Sequence, residues 1–387
     1  MISLLDYGAG NVRSLRNAIR RLGHELTDIE QPEDILKAER LVFPGVGSFG
    51  AAMQRLHALG YVEPLKEYLH AGRPFLGICI GLQCLFEGSE ESPGVEGLGL
   101  IPGRIRRFEA GTLSVPHMGW NGVRLERESS LFAGYGGEKL YFVHSYHAVP
   151  EPANASWLLA RTDYGCEFAS AVQKGMVAAV QFHPEKSGEA GLRLLDRFLS
   201  GATAESGGER PRGPGKTRLA KRIIACLDVR TNDNGDLVVT KGDQYDVREE
   251  GQVRNLGKPV DLARRYYEEG ADEITFLNIT GFRDFPLQDM PMLEVLKRTS
   301  ENVFVPLTIG GGIRDYTDKD GNTYTALKVA SAYFRSGADK ISIGSDAVLI
   351  VEDYLKTGQA TGRSAIEQIS RVYGNQAVVI SVDPRRV

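Results

Sequence analysis

The chain has 387 residues, a formal net charge of −4 and 25% charged side chains. That is room for two or three ordinary domains, and it excludes a strongly basic nucleic-acid binder or a polybasic membrane-surface protein. No apolar run has the length of a membrane span and Asp6 interrupts the short apolar start, so neither a membrane anchor nor a signal peptide is expected. The four cysteines, Cys79, Cys84, Cys166 and Cys226, form no CxxC pair and no metal spacing with histidine. Free thiols, no metal, no cofactor and a reducing cytoplasmic location are the expectation.

Residues 1–200 read as alternating strands and helices. An apolar strand at 2–5 leads through Gly8-Ala9-Gly10 into a helix from Asn11, with Leu15, Ala18, Ile19 and Leu22 on one face, and another strand follows at 41–43. Such alternation predicts a parallel sheet with helices on both sides. The loop Gly45-Val46-Gly47-Ser48-Phe49-Gly50 is a literal GxGxxG. It does not open the first βαβ unit and has no partnered acidic residue, which argues against a dinucleotide site.

The stretch 74–83, PFLGICIGLQ, is an apolar strand that runs into Gly77-Ile78-Cys79-Ile80-Gly81, with Leu82, Leu85 and Phe86 continuing at helical spacing. A cysteine between two glycines at a strand-to-helix turn has the form of a nucleophile elbow, at a helix N-terminus whose dipole favours a thiolate. A buried structural cysteine is the alternative. About a hundred residues on, Val180-Gln181-Phe182-His183-Pro184-Glu185-Lys186 supplies what such a nucleophile needs. His183 can take and return a proton, and Glu185 can orient its ring. The order Cys79, His183, Glu185 with this local wording resembles the class I glutamine amidotransferases, in which the thiolate attacks the side-chain amide of glutamine and releases ammonia. In that family the loop carrying Gly45, Val46 and Gly47 forms the oxyanion hole together with the Ile80 N–H, and Gln83 and Glu91 contact the glutamine.

Between 201 and 216 the sequence GATAESGGERPRGPGK holds no large apolar residue and reads as a linker between a domain at 1–200 and one at 217–387. The second domain carries an internal repeat. Gly270-Ala271-Asp272-Glu273-Ile274 recurs as Gly337-Ala338-Asp339-Lys340-Ile341, each copy ending a helix and starting a strand. With apolar runs at 223–228, 303–308 and 377–383 this makes five strands, separated by helical stretches at 259–270, 289–300, 325–336 and 362–374. The pattern predicts the first five strands of a (β/α)₈ barrel, whose chemistry lies at the C-terminal strand ends. Asp228 and Asp383 end strands one and five and suit a general acid and a general base; capping of the following helices is the structural alternative. Gly311 and Gly312, with Gly344 and Ser345, offer backbone N–H groups and a hydroxyl to a phosphate.

Taken together the chain resembles the fused imidazole glycerol phosphate synthases of fungi and plants, glutaminase first and cyclase second, with the stretch ACLDVRTNDNGDLVVTKGDQYDVRE close to diagnostic. The resemblance implies that ammonia from glutamine joins N′-(5′-phosphoribulosyl)formimino-AICAR ribonucleotide, yielding imidazole glycerol phosphate and AICAR ribonucleotide in histidine biosynthesis. It implies small-molecule substrates, with neither nucleic acid nor membrane as a partner. Matched by position, Asp228 and Asp383 are the cyclase acid and base and Lys241 holds the substrate. Arg222, Glu273 and Lys340 belong to a charged gate for ammonia, and Lys186 and Asp339 form an interdomain salt bridge. Asn278 stands where many bacterial cyclases have aspartate, as in the fused form. Strands six to eight are not in this sequence, so the expectation is that the barrel needs its remaining half in cis or from another chain. Two rival readings are a glutaminase bearing a noncatalytic phosphate-binding or docking half-barrel, and a glutaminase that serves another acceptor.

Overall fold

The structure, a computed structural model, describes residues 1–387 except 9, 46, 110, 112, 202–215, 241–247, 250, 251, 254, 280–285 and 383–387. Its contacts divide it into two compact units, Met1–Lys221 and Arg222–Val387. The expected linker lies almost wholly outside the described residues.

In the first unit the strands Leu26–Asp28, Ile2–Leu4, Arg40–Phe43, Phe75–Ile78 and Val177–Val180 pair in parallel in that order. Cys166–Lys174 then continues the sheet antiparallel to Val177–Val180. Near-continuous apolar strands are what a parallel sheet covered on both faces requires. The helix Val12–Arg21 covers part of it, burying Leu15, Ala18 and Ile19, with its first turn capped by the Asn11 side chain accepting from the Ser14 N–H at 3.1 Å. The register matters most for function. Ile78 lies opposite Val180, and the Cys79 N–H donates to the Val180 carbonyl at 2.8 Å. Two segments a hundred residues apart in sequence therefore leave the sheet side by side at the C-terminal ends of adjacent central strands.

In the second unit five strands, Ile224–Thr231, Glu273–Asn278, Leu307–Gly310, Lys340–Ile343 and Val378–Ile380, are parallel neighbours in chain order. Leu237–Thr240 adds an antiparallel strand beside the first. The helices Pro259–Glu268, Pro291–Thr299, Ala326–Ser336 and Ala365–Tyr373 follow the predicted stretches. The repeated aspartates have a physical reason: Asp272 accepts from the Ile223 N–H at 2.7 Å and Asp339 from the Leu307 N–H at 2.8 Å. Each carboxylate satisfies the first amide of a neighbouring strand that would otherwise lack a partner.

Three local expectations are corrected. Helical spacing after Cys79 predicts a helix through Phe86, but the helix is the single turn Ile80–Gln83 and Phe86–Ser89 is a strand. The expected helical stretches leave out Ser345–Thr357, which is a helix ended by Gly358 at φ 65° in the left-handed region. The third strand starts at Leu307 rather than 303 because Pro306 cannot donate to a ladder.

Candidate functional site

The GxCxG sequence is explained by close packing. Cys79 sits at φ 54°, ψ −102°, the one non-glycine residue with positive φ among those described. Such a conformation costs about 1–3 kcal/mol and persists only where its surroundings impose it. Those surroundings are backbone. A Cβ on Gly81 would lie 2.2 Å from the Phe43 carbonyl oxygen, and one on Gly77 would lie 2.7 Å from the Gly81 carbonyl. On the other side a Cβ on Gly45 would meet the Ile80 Cβ at 2.5 Å, which draws the loop after Arg40–Phe43 against the turn that follows Cys79. Gly47 in that loop has φ 139°, and Val46 lies outside the described residues.

Cys79, His183 and Glu185 are all buried beyond the C-terminal ends of these two strands. His183 Nδ1 is 2.8 Å from Glu185 Oε1. Burial alone would lower the imidazole pKa, but the Glu185 carboxylate and then Cys79 offset it, and the ring's pKa rises well above its ordinary value. The loop is held in place from below. His183 N–H donates to the Tyr141 carbonyl at 2.9 Å, and the Ser187 hydroxyl donates to the His183 carbonyl at 2.6 Å while accepting from the Tyr141 N–H. The pair thus has its geometry before any substrate arrives.

Two residues that support this site escape sequence reasoning. Gln181 donates from Nε2 toward Cys79 Sγ at 3.5 Å, and Ser187 anchors the His183 backbone. Gln181 reads as part of an apolar strand; its polarity inside that run was the available signal. Gln83 is buried and gives its amide hydrogens to the Tyr146 carbonyl and to Gln181 Oε1, at 3.0 and 3.1 Å. Glu91 accepts from the Phe49 N–H at 2.7 Å, and burial raises its pKa, with that N–H pulling the other way. Lys186 is buried in the single turn Pro184–Lys186.

In the second unit a cavity of about 440 Å³ opens at the C-terminal ends of the parallel strands, lined by Asp228, Asn278, Gly311, Gly312, Gly344 and Ser381 among others. Asp228 is half-buried, and desolvation raises its pKa. Gly311, at φ 93°, leaves no room for a side chain, since a Cβ would lie 2.1 Å from the Asn278 carbonyl oxygen. Arg314 also lines the cavity, with Nε 3.1 Å from Asp346 Oδ2, and sequence reasoning missed it. Ser345 begins the helix Ser345–Thr357 beside Gly344. At the opposite strand ends Arg222 Nε lies 3.1 Å from Glu273 Oε1, and Lys340 Nζ pairs with Glu273 Oε2. Desolvation lowers the Lys340 pKa, with Glu273 pulling the other way. Lys241 and Asp383 lie outside the described residues.

Residues 3–202 match the family model "Glutamine amidotransferase class-I", and residues 222–387 match "Histidine biosynthesis protein". The whole chain is 60% identical to "Imidazole glycerol phosphate synthase hisHF, chloroplastic" of Arabidopsis thaliana. It is 57% identical to a hisHF protein of Emericella nidulans and 54% identical to that of Schizosaccharomyces pombe. The chain spans 66%, 73% and 74% of the lengths of these three relatives. No helix of the described residues is long and apolar enough to cross a membrane. With a glutamine amidotransferase segment followed by a histidine-biosynthesis segment, and identity of this order over its full length, the chain belongs to the imidazole glycerol phosphate synthase hisHF family.

Proposed function

We propose that the Met1–Lys221 unit hydrolyses glutamine and that the ammonia feeds a cyclase built on the second unit, forming imidazole glycerol phosphate and AICAR ribonucleotide from N′-(5′-phosphoribulosyl)formimino-AICAR ribonucleotide. The observation that carries the first half is the buried His183–Glu185 pair at 2.8 Å, following the strand that pairs with the one leading into the strained Cys79. In this reading the Cys79 thiolate attacks the glutamine side-chain carbonyl. Negative charge gathers on its oxygen and meets N–H groups of the Gly45-Val46-Gly47 loop and of Ile80, where first-turn donors have no helical partner. His183, held protonated by Glu185, gives its proton to the departing nitrogen as the C–N bond breaks. A water, deprotonated by the same ring, then cleaves the thioester to glutamate. Gln83 and Glu91 line the glutamine site through the hydrogen bonds that hold its walls.

For the second half the support is the cavity bearing Asp228, Gly311, Gly312 and Gly344 at the strand ends, where barrel enzymes hold their substrates. Asp228 and Asp383 serve there as acid and base, and Lys241, Ser345 and the glycine N–H groups hold phosphate-bearing substrate. Arg222, Glu273 and Lys340 form the polar passage for ammonia at the other strand ends. The five parallel strands are read as the first five of a (β/α)₈ barrel, with the rest supplied by the remainder of such a protein or by another chain; the greater lengths of the relatives support this. A compartment that keeps Cys79 reduced suits the mechanism. Ammonia release from glutamine, measured with and without the phosphoribulosyl substrate, tests the whole. Stimulation by that substrate is expected; a rate indifferent to it would leave only a free-standing glutaminase.

A further inference from the structure

The glutaminase unit contains a row of buried neutral groups of which the chemistry above uses only Gln83, as part of the wall of the glutamine site. Asn121 receives the Gly122 N–H on Oδ1 at 2.8 Å and gives one amide hydrogen to the Asp163 carbonyl at 3.1 Å. Backbone therefore fixes which way its amide points. Its other hydrogen faces His117 Nε2 at 3.2 Å, so that nitrogen must accept and His117 must carry its proton on Nδ1. His117 Nδ1 lies 3.1 Å from His144 Nε2, which by the same logic accepts and leaves the His144 proton on Nδ1. That proton goes to the Tyr146 carbonyl at 2.8 Å. The same carbonyl takes a hydrogen from Gln83, whose second hydrogen goes to Gln181 Oε1. With its oxygen thus engaged, Gln181 can present only its NH₂ to Cys79 Sγ.

Every link in this row has one allowed polarity, and both ends are anchored. His117, His144, Asn121, Gln83 and Gln181 are all buried. Burial, with His147 nearby, pushes His117 down to about 3, and burial, with His117 next, holds His144 well below the usual range, so both rings stay neutral. A second proton on either would find no acceptor in the row. The far end meets the segment that follows the linker: Thr217 N–H donates to Asp163 Oδ2 at 2.8 Å, Asp163 N–H donates to Thr217 Oγ1 at 2.7 Å, and Ala220 N–H donates to the Trp120 carbonyl at 2.7 Å.

We propose that Asn121, His117, His144 and Gln83 form a positioning relay that holds the Gln181 amide toward the Cys79 sulfur and ties that orientation to the docking of residues 217–220 on this unit. The proposal rests on the glutaminase reading of Cys79 and adds residues that act through Gln181. An amide facing the sulfur with N–H favours thiolate, whereas a flipped amide would oppose it with oxygen. The two histidines are thus positioning residues, remote from the glutamine itself.

The test uses the full chain. Nitrogen-15 NMR of the unsubstituted protein should show His117 and His144 both as neutral Nδ1–H tautomers with Nε2 unprotonated; an Nε2–H form at either ring would overturn the relay. His117→Phe keeps a ring between Phe142 and Tyr164 and removes both nitrogens. It should lower kcat for glutamine hydrolysis on the order of tenfold, as expected for a positioning fault, leave KM within about twofold, and move the Gln181 side-chain amide resonance. Unchanged kcat with an unmoved Gln181 resonance in a folded variant would also overturn it. If that variant does not fold, the tautomer measurement still decides. Loss of the glutaminase reading is separable, because it would appear as glutamine hydrolysis surviving Cys79→Ala, whatever the tautomers.

Discussion

The two candidate sites are built in opposite ways. Around Cys79 the chain is packed tightly, with Gly77, Gly81 and Gly45 each leaving no room for a methyl group, and the residues proposed to react, Cys79, His183 and Glu185, are buried. Around Asp228 the strands end in an open cavity of about 440 Å³, and the carboxylate itself is only half-buried. Acyl transfer needs a nucleophile, base and oxyanion donors fixed within fractions of an ångström, so the cost of strain is met locally. A site for a long phosphorylated substrate needs width rather than close packing. The close-packed site should therefore respond steeply to small changes, the open one weakly.

The strongest way to break this comparison is Cys79→Ala. Ammonia release from glutamine should fall to background, on the order of 10⁶-fold for loss of a nucleophile that acts as a unit with its base. Far-ultraviolet circular dichroism should not change, and a variant that still consumed glutamine would place the chemistry elsewhere. Glu185→Gln comes next, with a loss of about 10²–10⁴-fold in kcat because the ring loses its orienting carboxylate. This variant also has a pH signature. His183 is raised above its unfolded value of about 6.5, so the stability it contributes is complete below that pH and disappears as pH rises through the raised folded pKa. The substitution should thus destabilise the protein more at pH 6 than at pH 9 in urea melts, and an equal loss at both would contradict the assigned ion pair.

Gly81→Ala sharpens the comparison without touching a reacting atom. Its methyl group must displace the Phe43 carbonyl, at a cost of about 1–3 kcal/mol of unfolding free energy, read from urea melts of the protein. Gly344→Ala in the open site is its control: the nearest atom is 3.8 Å from the added carbon, so little change is expected. Similar losses at both glycines would erase the distinction. The smallest effect on stability belongs to Asp228→Asn. Desolvation raises the Asp228 pKa, so its charged form weighs slightly against folding above that pKa and not below it. The variant should be marginally more stable at pH 7 and indistinguishable at pH 3, while glutamine hydrolysis is retained.

How much of this was legible in sequence follows from the same contrast. Sterically forced features leave short signatures: the elbow glycines, the His183-x-Glu185 pair and the duplicated Gly-Ala-Asp are dictated by contacts within a few residues or across one strand pair. Alternation alone was enough to indicate parallel sheets. Gln181 was hidden because a single polar residue in AAVQF looks like a strand residue until the register shows it beside Cys79. Ser187 was hidden for a related reason, since its partners Tyr141 and His183 meet only through tertiary contact. The helix Ser345–Thr357 was missed because an apolar run after a glycine does not declare its period over so few residues. Arg314 leaves no signal in the sequence, because its partner Asp346 comes only after the next strand, Lys340–Ile343.

The pairing of Ile78 with Val180 carries a consequence for how the enzyme fails. Cys79 and His183 are extensions of two adjacent strands near the middle of the parallel sheet, not ornaments on surface loops, so neither can drift from the other while that ladder is intact. Because side chains alternate faces along a strand, a slip of one residue would send every side chain of Phe75–Ile78 or Val177–Val180, all of them buried, into packing shaped for its neighbour on the opposite face. Inactivation by heat should thus be all-or-none, with catalysis disappearing in the same cooperative step that dissolves the core of this unit and no earlier loosening of the active centre.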